Sequence, residues 1–131
     1  MLTHVNPPGV FDPTSFGYSQ AVVAPADARI VHLSGQGGAD ATGALSSDFT
    51  AQVEAAFVNL RAVLAGTGAR PGHVAKLTIY VVDHDPSKLG VLTEAVLGTF
   101  GTALPAQTLV PVPRLALDGM LVEVEAVAVL D

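Results

Sequence analysis

The C-terminal run Leu121-Val122-Glu123-Val124-Glu125-Ala126-Val127-Ala128-Val129 sets the tightest limit on what this chain can build. In an extended backbone alternate side chains share a face, so Glu123 and Glu125 point one way while Val122, Val124, Ala126 and Ala128 point the other. Val74 to Val82 alternates likewise, between an aliphatic face of Ala75, Leu77, Ile79 and Val81 and a mixed face of Val74, Lys76, Thr78, Tyr80 and Val82. Neighbours such as Val81 with Val82, Leu109 with Val110, and Val127 to Val129 make these strands apolar on both sides. Both faces of the sheet therefore need cover. Only two helical patterns are present, enough for one face, and a homo-oligomer packed sheet to sheet covers the other.

Composition agrees with that reading. Of 131 residues 50% are apolar and 14% charged, more hydrophobic than a soluble monomer of one domain needs. The formal charge of −6, with 6 Lys+Arg and no basic cluster, opposes binding to nucleic acid or to anionic membranes. The absence of cysteine removes thiol nucleophiles, disulfides and thiolate metal sites. No metal is expected, because His4, His32, His73 and His84 lack ligand-like spacing. The N-terminal residues do not read as a secretory signal and no apolar run reaches membrane-spanning length, so a cytoplasmic location is expected.

Along the chain, residues 1–17 are rich in Pro and Gly and read as an arm whose order needs a partner surface. Tyr18 to Val23 and Arg29 to Ser34 read as a β-hairpin, followed by a flexible loop at Gly35-Gln36-Gly37-Gly38. From Asp48 onward Phe49, Val53, Ala56, Phe57, Leu60, Val63 and Leu64 recur at helical spacing. Ser46 or Ser47 can cap that helix and Gly66 or Gly68 can end it. Asp85-Pro86 announces a second helix with Leu89, Leu92, Val96 and Phe100 as its buried stripe. Thr108 to Pro113 is extended, and Asp118-Gly119 supplies hairpin chemistry before the glutamate strand. The expected order is β-β-α-β-α-β-β in a single α+β domain of residues 1–131, with a five-stranded mixed sheet and two helices on one face.

The paired glutamates are the candidate chemistry, since a carboxylate held against apolar surface is how a site obtains a proton-transfer group near neutral pH. Exposed Glu on one face of an edge strand is the plainer alternative. Ser34 has no Gly-x-Ser-x-Gly elbow around it, and Gly35-Gln36-Gly37-Gly38 lacks the Lys-Ser/Thr of a phosphate loop.

Four segments in order resemble the reactive-intermediate (enamine/imine) deaminase family, the RidA-like proteins. They are Gly17-Tyr18-Ser19-Gln20-Ala21, Ser34-Gly35-Gln36, Val74-Ala75-Lys76-Leu77-Thr78-Ile79-Tyr80, and Pro105-Ala106 through Val122-Glu123-Val124-Glu125-Ala126. The resemblance implies a chorismate-mutase-like fold and a homotrimer with three clefts between neighbouring protomers. It also implies hydrolysis of 2-imino acids or their enamine tautomers to 2-oxo acids and ammonia, without metal or organic cofactor. Under it Glu123 is the water-handling acid, Tyr18 the cleft tyrosine, and Ser34, Gly35 and Gln36 the lining loop. Leu109 stands where a family cysteine often lies and contributes its backbone.

One departure bears on function. Where deaminases of the family carry arginine after Pro-Ala, this chain has Gln107. A guanidinium binds a carboxylate through two parallel charge-assisted bonds, whereas an amide is neutral and shorter. The difference implies roughly tenfold or more weakening toward a carboxylate substrate. Arg114, nearby in sequence, reads as structural. Three functions follow: a hydrolase of imines or enamines, a non-catalytic trimer that binds a small metabolite in its clefts, and a ribonuclease, which the acidic surface opposes.

Overall fold

A computed structural model describes residues 1–131. Its elements in chain order are β1 (Thr3–Val5), β2 (Ala21–Val23), β3 (Arg29–Gly37), α1 (Phe49–Gly66), β4 (Val74–Val82), α2 (Leu89–Phe100), β5 (Ala106–Val112) and β6 (Val122–Leu130). The main sheet has four strands in the order β3-β6-β4-β5, with β4 and β5 parallel and the other pairs antiparallel. Leu77, Ile79 and Val81 of β4 and Val122, Val124 and Ala128 of β6 are fully buried under the helices, in one core with Phe57, Leu60, Leu92, Val96 and Phe100. Strand alternation sends Thr78, Tyr80, Glu123, Glu125 and Val127 to the opposite face, which no helix covers.

Several expectations change. The hairpin of β2 with β3 does not form: β2 pairs with β1 in a separate two-stranded ribbon, so the arm is ordered by its own chain. The reason lies just upstream, where the Ser19 amide donates to Pro105 O at 3.0 Å and its hydroxyl to Leu104 O at 2.6 Å. Those bonds tie the segment to the β5 end of the sheet, three strands away from β3. The main sheet thus has four strands rather than five, and the order gains a strand at the N-terminus. Gly35-Gln36-Gly37 is strand rather than loop, with a register shift between Leu33 and Gln36. Asp118-Gly119 makes a turn with Gly119 at φ 88°, but no hairpin, because β5 and β6 flank β4 on opposite sides.

Helix boundaries came close. Asp48 itself caps α1, its carboxylate accepting from Ala51 N at 2.9 Å, while Ser46 Oγ accepts from Asp48 N. Val63 falls outside the buried stripe. Asp85 caps a short 3-10 turn, Pro86–Lys88, that leads into α2. Leu89 is 42% exposed rather than buried, standing at the rim of a cavity. No helix is long and apolar enough to cross a membrane.

Candidate functional site

The residues singled out from sequence fall into two groups on opposite faces of the sheet. Gln107 and Leu109 lie opposite Leu77 and Ile79 in the parallel β4–β5 ladder, so they face the helix side. There they meet Tyr18, which Ser19 holds against the start of β5. Phe11 and Phe16 of the arm and Leu92 of α2 complete a cavity of about 370 Å³. The two phenylalanine rings stand 5.5 Å apart, tilted by 48°, and remain largely exposed. Gly17, at φ 88° and with Val96 Cγ1 3.3 Å from where a Cβ would sit, lets the chain turn between Phe16 and Tyr18.

Gln107 lines this cavity with its Oε1 buried and without a hydrogen-bond partner. No lysine, arginine, aspartate or glutamate is among the lining residues. Arg114 is engaged elsewhere, donating to Asp118 Oδ1 at 2.8 Å, both side chains exposed. Lys76 donates to Thr108 Oγ1 at 2.7 Å, and Lys88 to the carbonyls of Val82 and Asp83.

The second group lies on the open face. Glu123 is half-buried, and its carboxyl group runs across Gly35: a Cβ placed there would stand 2.6 Å from Glu123 Cδ and Oε1. Only glycine leaves that path free. The irregular register after Leu33 puts Ser34 and Gly35 at the surface, and Gln36 Nε2 donates to Ser34 O at 3.1 Å, stiffening the irregularity. Glu123 pairs across the ladder with Tyr80, and the Tyr80 hydroxyl donates to Glu125 Oε1. That hydrogen bond, with burial and the charges of both glutamates, raises the Tyr80 pKa above its usual value of 10.0. Glu123 thus stands beside a protonated phenol and a second acid.

Within the chain the sheet separates the groups. Tyr18, Gln107 and Leu109 share the helix-side cavity, and Gly35 and Glu123 share the open face with Ser34 exposed beside them, whereas Gln36, opposite Val124 in the ladder, points to the helix side and brings only its backbone to that face. Sequence reading missed Phe11, Phe16 and Tyr80. Tyr80 has the same strand parity as the glutamates, a signal that becomes informative once the β4–β6 register is known.

Comparison with known proteins points one way. The sequence profile of the family described as endoribonuclease L-PSP matches residues 12–130. A 2-iminobutanoate/2-iminopropanoate deaminase of Salmonella typhimurium is 33% identical over 89 residues, 67% of this chain and 69% of that protein. The crystal structure of a Rid-family protein from Yersinia pestis superposes with a TM-score of 0.93 at 33% identity, covering 98% of each chain. RidA from an Antarctic Psychrobacter gives 0.70 at 33% identity over 85% of this chain and 86% of that one. With a profile that spans nearly every residue and a fold shared from end to end, the chain belongs to the endoribonuclease L-PSP family, as a RidA-like protein.

Proposed function

We propose that the protein is a hydrolase of imines or enamines, acting in clefts between the protomers of a homotrimer in the cytoplasm. In each cleft Tyr18, Gln107 and Leu109 of one protomer meet Ser34, Gly35, Gln36 and Glu123 of its neighbour. The trimer reading is supported by the uncovered sheet face, which carries Val127 at its middle and Val110 and the 63% exposed Ile30 on its two edge strands. It is supported also by the two half-sites, each of which lacks what the other holds.

The observation that carries the reading is the Glu123 carboxylate laid over the Cα of Gly35, on a strand that is aliphatic apart from Glu123 and Glu125. A carboxylate placed there can take a proton from water as it adds to the carbon of the protonated imine, giving a carbinolamine. It can then return that proton to nitrogen and take up the carbinolamine's hydroxyl proton as the carbon–nitrogen bond breaks and the carbonyl forms. One water enters, and ammonia and a carbonyl compound leave. The reaction needs no metal or organic cofactor. Gly35 and Gln36 offer backbone groups to the developing charge, and the tyrosine and the cavity of Gln107 hold the rest of the substrate.

Ammonia release from freshly generated 2-iminobutanoate is the test. Native protein is expected to accelerate release above the buffer rate, and Glu123→Gln to lower that acceleration by about 10²-fold or more while the fold persists. Equal rates in native and variant protein would dismiss Glu123 as the water-handling acid. Gln107 favours a second reading, a trimer that binds a small metabolite without turnover, because the cavity supplies no cation to anchor a 2-imino acid. Ligand binding by native protein without ammonia release would select it.

A further inference from the structure

We infer that the cavity around Gln107 takes an uncharged, amide-type ligand: a small carbonyl or imine compound carrying a primary carboxamide where the family's substrates carry a carboxylate. The inference rests on the reading of this cavity as half of the ligand cleft and goes further in naming the ligand class.

The first argument is the carboxamide itself. Gln107 Oε1 is buried and accepts no hydrogen bond, and an unmet buried acceptor is unfavourable until a donor arrives. A carboxylate has no proton to give it. A primary amide has two, and its own carbonyl can accept from the glutamine NH₂, so two carboxamides meet edge to edge with each donor matched to an acceptor.

The second argument is charge. Phe11, Phe16, Leu89, Leu92 and Leu109 supply apolar walls, and Tyr18 and Thr93 are the only other polar side chains. The Thr93 hydroxyl is already engaged, donating to Phe16 O at 3.3 Å. An anion entering this cavity sheds water and meets no cation, whereas a neutral amide sheds less and is fully paired. The third argument is the wall opposite. The tilted pair of exposed phenylalanines offers ring faces and edges to a small aliphatic or aromatic remainder.

A matched pair of probes isolates the point. Calorimetric titration of the full-length protein with 2-oxobutanamide and 2-oxobutanoate compares ligands that differ only in NH₂ for O⁻. Native protein is expected to favour the amide by about tenfold or more, the difference that two neutral hydrogen bonds make. Gln107→Arg is expected to reverse the preference, and Gln107→Leu to abolish it. Carboxylate binding as tight as amide binding in native protein, a preference that survives in Gln107→Leu, or no binding of either probe would overturn the inference. Glu123→Gln keeps the catalytic question apart: it is expected to retain the amide preference while losing turnover. Absence of turnover in native protein that still prefers the amide would remove the hydrolase reading and leave this one standing.

Discussion

Tyr80 shows how much one side chain can depend on its cross-strand neighbours. Its hydroxyl donates to Glu125 while its ring stands opposite Glu123, and both acids favour the protonated phenol. A pKa raised on folding stabilises the fold fully below the unfolded value of 10.0, and that stabilisation is lost as pH rises through the folded value. Native protein is therefore expected to hold a denaturation-midpoint advantage over Tyr80→Phe at pH 8 that shrinks steadily above pH 10. An advantage independent of pH would mean the phenol's proton plays no part. The glutamates were legible from the sequence because acid in an aliphatic strand stands out, but their partner was not. Tyr80 becomes their neighbour only through the β4–β6 register, a long-range fact that local alternation does not contain. Gln107 was legible as a departure from the family pattern, whereas its unpaired oxygen and the phenylalanines beside it required the folded arm.

At the scale of elements, a single buried glutamine joins helix to sheet. Gln52 of α1 is wholly buried, donates to Ser46 O at 2.6 Å and Gly119 O at 2.8 Å, and accepts from Leu121 N at 2.9 Å. It thereby pins the start of α1 to the turn that launches the glutamate strand. Gly38 passes so close that a Cβ there would lie 2.6 Å from Gln52 Cα, so only glycine fits where β3 ends against α1. Gln52→Leu keeps the volume but strands three backbone groups, and is expected to cost roughly 2–4 kcal/mol in urea unfolding. A cost under about half a kcal/mol would show that water replaces the side chain. Helical periodicity revealed α1 and α2 because their buried stripes are local. The same periodicity treats Gln52 as one polar residue beside Val53, so its burial escaped notice. The β1–β2 ribbon was missed for a similar reason: three-residue strands carry too little alternation to be recognised, and their pairing is directed by the Ser19 tether to β5 and by Gln20, whose amide donates to Asn6 Oδ1 and whose side chain donates to Phe11 O.

For the whole molecule, the sheet both builds and divides the site. It places a neutral, aromatic-walled cavity on its helix side and an acid over glycine on its bare side. The apolar surplus of the sequence leads to the expectation that other copies of the chain cover the bare side. Which residues would meet across the proposed contact follows only from the distribution of the site residues between the two faces. The central claim, a hydrolytic cleft completed by two protomers, is tested most directly by mixing halves. Glu123→Gln destroys one half and Leu109→Arg fills the other, so each variant alone is expected to be inactive. Trimers coexpressed from equal amounts of both contain clefts in which each half is native. The account predicts that ammonia release from 2-iminobutanoate returns to about a quarter of the native rate, the fraction of such clefts under random assembly into a closed ring. Mixed protein as inactive as the separate variants would contradict it.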